Sequence, residues 1–239
     1  LSMNDINFKD YWGCIDDKFD ELLKEGYVKF PSIANLDLSE FDKRISSQVS
    51  KKTYTELGNE HKKFITKILL EKYLAPKLLN FAKKEFGYKG SISNQYHIAR
   101  SAIPGDQKYR AHFDSHMLTL VIPIRIPEVQ EENGTIGELM FYPNARNFPK
   151  NPLIDLIGKI WFKQYSSRSG MERLSKKKNI NINSFRDYEP LLFLGNTVFH
   201  SNKPISSNVD SHRLTLLAHY FDPFPKFGIG SLLRKIRFR

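Results

Sequence analysis

From Met117 to Ile126 the chain reads Met-Leu-Thr-Leu-Val-Ile-Pro-Ile-Arg-Ile. A run this apolar and this β-branched is a poor helix and a good buried strand. His112 and Asp114 stand just ahead of it, between Arg110 and His116. In an extended segment the side-chain period of two puts both on one face, so an imidazole nitrogen and a carboxylate oxygen converge on one point. Two of the three ligands of a 2-His-1-carboxylate iron site have this form. The third has a candidate in His200, which closes the apolar run of Leu191 to Leu194, Thr197, Val198 and Phe199 and stands just ahead of Pro204.

The remainder sorts into helices first and strands after, an α+β arrangement. At 239 residues, one domain with a substantial core is expected over 1–239. Residues 4 to 38 read as a short helix and then a strand, through Tyr11, Trp12, Phe19, Leu22, Leu23 and then Tyr27, Val28 and Phe30. From Leu38 to Phe86 the pattern is helical, with Phe64, Ile65, Ile68, Leu69 and Leu78, Leu79, Phe81, Ala82 opposite a lysine face of Lys62, Lys63, Lys67, Lys72, Lys77, Lys83 and Lys84. Pro76 is expected to separate two helices, and Gly87 to Gly90 to end the second. Residues 1–89 are thus a mainly helical N-terminal support.

Strands follow over 90–222: Ile92 to Ala99, Met117 to Ile126, Gly137 to Tyr142 after the turn-rich Glu131 to Gly134, Leu191 to Leu194, Thr197 to His200 and Arg213 to Phe221. This is the length of a sandwich or jelly roll. Residues 144–189 interrupt it. Leu153, Ile154, Leu156, Ile157, Ile160 and Trp161 suggest an amphipathic helix, and Lys176 to Lys178 with Asn179 to Asn183 an exposed polar loop. Two readings stand open for this insertion, a cover for the metal mouth and a helix packed on the outside. The basic tail, 223–239, alternates Leu232, Leu233, Ile236 and Phe238 with cations, which suits a membrane surface, nucleic acid or plain solvent.

The formal charge of +11 favours anionic partners. Cys14 is alone and cannot close an intrachain disulfide, so a reduced, cytoplasmic setting is expected, with membrane association through the tail as an addition. The opening residues lack a charged segment followed by an apolar one, and no signal peptide is expected. No run approaches the roughly 20 apolar residues of a membrane span.

H-x-D alone is a short pattern of low specificity. Its weight comes from order: the pair leads into a strand, His200 ends a strand downstream, and Arg213 opens the last one. Two imidazoles and a carboxylate leave one side of Fe(II) open to a keto acid and dioxygen, and a guanidinium deeper in the barrel matches the far carboxylate of the keto acid.

On His112, Asp114, His200 and Arg213, with Gly137-Glu138-Leu139-Met140-Phe141-Tyr142-Pro143 and the stretch Leu191 to Phe221, the sequence resembles the 2-oxoglutarate and Fe(II)-dependent oxygenase superfamily, prolyl-hydroxylase-like branch. The resemblance covers about residues 90 to 222. It implies a double-stranded β-helix, or jelly roll, with the N-terminal helices packed on it. It also implies that His112, Asp114 and His200 bind iron, that Arg213 binds the 5-carboxylate of 2-oxoglutarate, and that Thr215 assists on the same strand face. Tyr96 resembles a tyrosine that donates to the cosubstrate, and Asn94 lies two residues earlier on its face.

The implied reaction uses Fe(II), 2-oxoglutarate and O2, forms succinate and hydroxylates a C–H bond. Asp114 favours hydroxylation over halogenation, since halogenating relatives usually lack this carboxylate. Asn94-Gln95-Tyr96 matches the N-x-Y of the alkylation-repair branch, but His219 stands where that branch has a second arginine, which argues against nucleic-acid demethylation. His219 shares the Arg213 face by parity, His116 is expected to line the pocket, His97 points away from Tyr96, and His61 has no assigned role. Lys108, Tyr109 and Arg110 suit either an anionic substrate or an exposed loop. The expected substrate is an anionic small molecule or glycan-type compound, with no specific nucleic acid. The alternatives are a peptidyl hydroxylase of the same superfamily and a non-catalytic, cupin-like binding module.

Overall fold

The structure is a computed structural model that describes residues 7–34, 38, 42–43, 54–56, 65–66, 68, 70–104, 109–128, 134–207 and 211–224. The expectations for His61, Lys62, Lys63, Lys67, Lys108, most of the turn at Glu131 to Gly134 and the tail after Phe224 lie outside the described residues.

Two antiparallel sheets form the centre. The larger has the order β1-β7-β4-β9-β3-β2, from β1 (Tyr27–Lys29), β2 (Tyr54–Glu56), β3 (Gln95–Ala102), β4 (Leu118–Arg125), β7 (Leu191–Leu194) and β9 (Arg213–Tyr220). The smaller has the order β6-β5-β8, from β5 (Leu139–Tyr142), β6 (Asn181–Asn183) and β8 (Phe199–Asn202). The larger sheet is covered on both faces, which is why β4 and β7 read as continuous apolar runs. Leu118, Leu120, Leu216, Ala218 and Tyr220 belong to the principal core, which also takes in the N-terminal helices. The alternate residues Thr119, Val121, Thr215, Leu217 and His219 turn inward to the smaller sheet. Register carries this parity across strands, pairing Thr119 with His219, Val121 with Leu217 and Arg100 with Thr215.

Helices α1 (Phe8–Gly13), α2 (Phe19–Glu25) and α3 (Ala75–Phe86) supply that core. Trp12 is buried, and its indole donates to the Ile68 carbonyl at 2.7 Å. Phe19 stacks on Phe81 at 4.4 Å. Gly87, at φ +63°, caps α3 in the left-handed region that glycine enters freely. Lys72, Lys83 and Lys84 are exposed, and Lys77 pairs with Asp16.

Two expectations are corrected. Residues 4 to 38 hold two helices before the strand, because a short 3-10 turn at Asp16–Lys18 redirects the chain between them. Pro76 does stand where two helical elements meet, in the first turn of α3, where its missing N–H is harmless, just after a π-helical stretch, Leu70–Leu74. Tyr54–Glu56 and Asn181–Asn183, placed in helical and loop stretches, are short edge strands. Their partners, β3 and β5, are distant in sequence, and such pairing overrides local pattern.

The insertion forms α4 (Pro152–Phe162) and α5 (Arg168–Ser175). No residue of α4 is buried. No described helix is long and apolar enough to cross a membrane.

Candidate metal centre

His112 and His200 meet across an isolated antiparallel bridge, each donating its backbone N–H to the other's carbonyl, at 2.9 and 3.0 Å. Their rings lie 4.6 Å apart. Asp114 is drawn in from the same segment, its N–H donating to the Gly195 carbonyl at 2.9 Å. Gly195 is required there, since a Cβ would stand 2.5 Å from the His116 carbonyl oxygen and 2.9 Å from the Asp114 Cβ. One ligand atom from each of His112, Asp114 and His200 lies within 4.8 Å of the others. The His112 Nε2 is 3.6 Å from Asp114 Oδ1 and the His200 Nε2 is 3.8 Å from Oδ2, distances too long for hydrogen bonds.

The ring nitrogens are already sorted. The His112 Nδ1 donates to the Arg110 carbonyl at 3.0 Å and the His200 Nδ1 to the Val198 carbonyl at 3.2 Å. That tautomer leaves both Nε2 lone pairs facing Asp114, as metal ligation needs. Thr119 donates its hydroxyl to Asp114 Oδ2 at 2.6 Å and accepts from the His219 Nδ1 at 3.1 Å. The carboxylate is thus held by a relay reaching from β4 to β9.

Burial alone would raise the Asp114 pKa, but His200, His112 and His219 around it outweigh burial and hold the carboxyl well below its usual range. Burial lowers His200 to about 4, against the opposing pull of Asp114. At neutral pH Asp114 is therefore a carboxylate and His200 a neutral imidazole, and with the imidazole of His112 beside them they form a donor set of the kind that suits a ferrous ion.

The three donors line one side of a cavity between the sheets, with Ile98, Val121, Leu139, Phe193 and Leu217 as apolar wall. Arg213 and Thr215 line the same cavity. Arg213 is 2 % exposed and donates to the Gly137 carbonyl, which also accepts from Asn202 Nδ2 at 3.0 Å. Gly137 sits at φ +80°, where a side chain would be strained and its Cβ would press on Ile205 at 3.0 Å. The Thr215 hydroxyl is buried with no hydrogen-bond partner. A buried cation beside an unsatisfied hydroxyl is a seat for a carboxylate.

Of the residues singled out in the sequence, the structure brings together His112, Asp114, His200, Arg213 and Thr215. Tyr96 stands to one side, stacked on His219 at 4.7 Å and edge-on to His116 at 4.8 Å. Asn94 precedes β3, and its carbonyl accepts from the Phe221 N–H at 2.8 Å, away from the cavity lining. His97 turns to the opposite face, its ring edge-on to Tyr220. Sequence reasoning missed Thr119, Arg100, Asn202 and Phe185 in the lining. Thr119 shares the parity of Val121 on β4 and was within reach. Arg100, bonded to Asn202, and Phe185, from the insertion, needed the cross-sheet register.

No family model and no curated protein matches the sequence. Among solved structures, the chain is similar to a prolyl 4-hydroxylase from Phytophthora capsici, at 13% identity over 94% of this chain and 67% of that one, with a TM-score of 0.56. It is similar to a prolyl hydroxylase from Trichoplax adhaerens, solved with a peptide of the hypoxia inducible factor oxygen degradation domain, at 11% identity over 92% and 95%, TM-score 0.56. A third is SnoK, a non-heme alpha ketoglutarate dependent carbocyclase of nogalamycin biosynthesis, at 12% identity over 93% and 86%, TM-score 0.52. The structural likeness shows a shared fold.

Proposed function

We propose that this chain, which has the fold of the prolyl-hydroxylase-like 2-oxoglutarate oxygenases, is itself an Fe(II)- and 2-oxoglutarate-dependent dioxygenase. In this reading it hydroxylates an unactivated C–H bond of an anionic small-molecule or glycan-type substrate. One observation carries the reading: two Nε2 atoms and a buried carboxylate converge in a cavity that also holds a buried arginine and an unsatisfied threonine hydroxyl.

His112, Asp114 and His200 would hold the iron. Arg213 would pair through its planar fork with the 5-carboxylate of 2-oxoglutarate, and Thr215 would add its hydroxyl. Bound iron with O2 supplies the oxidising chemistry, in which 2-oxoglutarate becomes succinate and CO2 and the second oxygen atom enters the substrate. The chain's own part is placement. Thr119 keeps Asp114 Oδ2 in position, the two backbone carbonyls fix the imidazoles, and the apolar wall keeps water from the reacting centre. Two features support an anionic substrate: the charge of +11 and Arg100 in the cavity wall. A peptidyl substrate is the second reading, favoured by the likeness to the Trichoplax hydroxylase crystallised with a peptide.

The test is succinate formation from 2-oxoglutarate by purified protein with Fe(II), together with calorimetry of 2-oxoglutarate binding to wild type and Arg213→Ala. Turnover with Arg213-dependent binding is the expected result. Metal binding with neither turnover nor Arg213 dependence would instead support the non-catalytic module.

A further inference from the structure

The insertion helix α4 is built inside out. Among the described residues, eight large hydrophobic side chains are exposed, and six of them are on this one helix: Leu153 65%, Ile154 48%, Leu156 53%, Ile157 57%, Ile160 62% and Trp161 68%. At about 100° per residue the six occupy an arc of roughly 160°. The opposite side carries Asp155, Gly158, Lys159 and Phe162, and that side faces the protein. Arg146 donates to the Asp155 carbonyl at 2.9 Å and its carboxylate at 2.6 Å, and its guanidinium lies so close to Gly158 that a Cβ there would stand 2.4 Å away. Phe162 packs edge-on to Phe113 at 4.9 Å and against Phe199 at 5.0 Å. Asn151 caps the first turn, accepting from the Ile154 N–H at 2.9 Å, and Pro152 opens it. The apolar arc is therefore held outward by a firm support.

We propose that α4 is a membrane-docking helix that lies along the headgroup layer of an anionic phospholipid bilayer with this arc buried in it. The charge around it selects the occupant. Residues 146–178 contain nine basic side chains against two acidic ones. Both acids are already paired, Asp155 with Arg146 and Lys159, and Glu172 with Arg168. Lys150 and Lys163, which flank α4 in the chain, and Arg173 and Lys176 to Lys178 in and after α5 are all exposed. A wide apolar face with a tryptophan, in a segment rich in exposed lysines and arginines, is the composition that partitions into an anionic lipid interface. A second copy of the chain would bring the same positive charge against itself. The basic tail, whose pattern suits a membrane surface among other settings, lies beyond Phe224 outside the described residues, so α4 is a separate candidate resting on its own observations.

The experiment uses the full chain and vesicles of phosphatidylcholine alone or with an equal part of phosphatidylserine. The protein is expected to co-sediment with the phosphatidylserine vesicles, more weakly as salt rises and weakly with phosphatidylcholine alone. Ile157→Glu combined with Ile160→Glu, both exposed and so compatible with folding, is expected to weaken that binding by at least about tenfold. Circular dichroism would check that the variant is folded. Trp12 is buried and Trp161 exposed, so a blue shift of emission on adding vesicles should vanish in Trp161→Phe. Equal binding by wild type and the double variant would overturn the proposal. So would absence of binding, and so would light scattering that shows a dimer or an acidic protein partner occupying α4 in place of lipid. None of these readouts needs iron or 2-oxoglutarate, so the result stands apart from the oxygenase reading.

Discussion

His112 and His200, from distant parts of the sequence, exchange two backbone hydrogen bonds and so bring their imidazoles to 4.6 Å, tilted at 48° to each other. The bridge is made by main chain, so either side chain can be removed without opening it. His200→Ala and Asp114→Gly are each expected to lower Fe(II) affinity at least about 100-fold while leaving the fold intact. Anaerobic titration with far-ultraviolet circular dichroism checks both halves of this.

Thr119 is the hinge of the relay between Asp114 and His219. Thr119→Val keeps the shape and removes the hydroxyl, leaving Asp114 Oδ2 without its donor and the His219 Nδ1 without its acceptor. Metal affinity is expected to fall by about 10- to 100-fold. Thr119→Ser should restore most of it, which a merely steric role would not produce.

Arg213→Lys retains the charge but loses the planar fork and its bond to Gly137 in the same geometry. The KM for 2-oxoglutarate is expected to rise about tenfold or more, with a smaller effect on Fe(II) binding. Steady-state succinate formation and metal titration separate the two.

Gly195→Ala replaces no candidate ligand yet places a methyl group against the His116 carbonyl and the Asp114 side chain. Stability is expected to fall by about 1–3 kcal/mol, with weakened metal binding. Denaturant unfolding of the apo and iron-loaded forms measures both.

His97 is 8 % exposed, and burial lowers it from 6.5 to about 4. The unfolded chain takes up this proton near 6.5 while the folded chain resists it down to about 4. The stability it protects is therefore whole above 6.5 and declines as pH falls, reaching a loss of about 3 kcal/mol below 4. His97→Leu should flatten that part of the pH profile of unfolding. His200 is depressed in the same direction and will leave a residual slope.

The legible part of the site was the part governed by side-chain parity within one stretch of chain, either β9 or the short segment of His112 to Asp114 ahead of β4. His112 with Asp114, and Arg213 with Thr215 and His219, could be placed on common faces from spacing alone. Arg100 and Phe185 could not, since the first enters through the register of β3 on β9 and the second through the return of the insertion. Phe185 is buried at φ +59°, a conformation that nothing in its sequence announces. The short edge strands escaped notice because three residues carry too little periodicity to outweigh their surroundings. For α4 the periodicity was visible, but the usual inference, apolar side inward, has the opposite sign here.

Arg146 lies 4.1 Å over the ring of Phe113, the residue between the two ligands of the H-x-D pair, while its hydrogen bonds grip Asn196 and Asp155. A force applied to α4 from outside thus has a short mechanical path to the segment that carries the candidate metal ligands. Whatever settles on that helix would also bear on how firmly the loop of the candidate ligands is clamped.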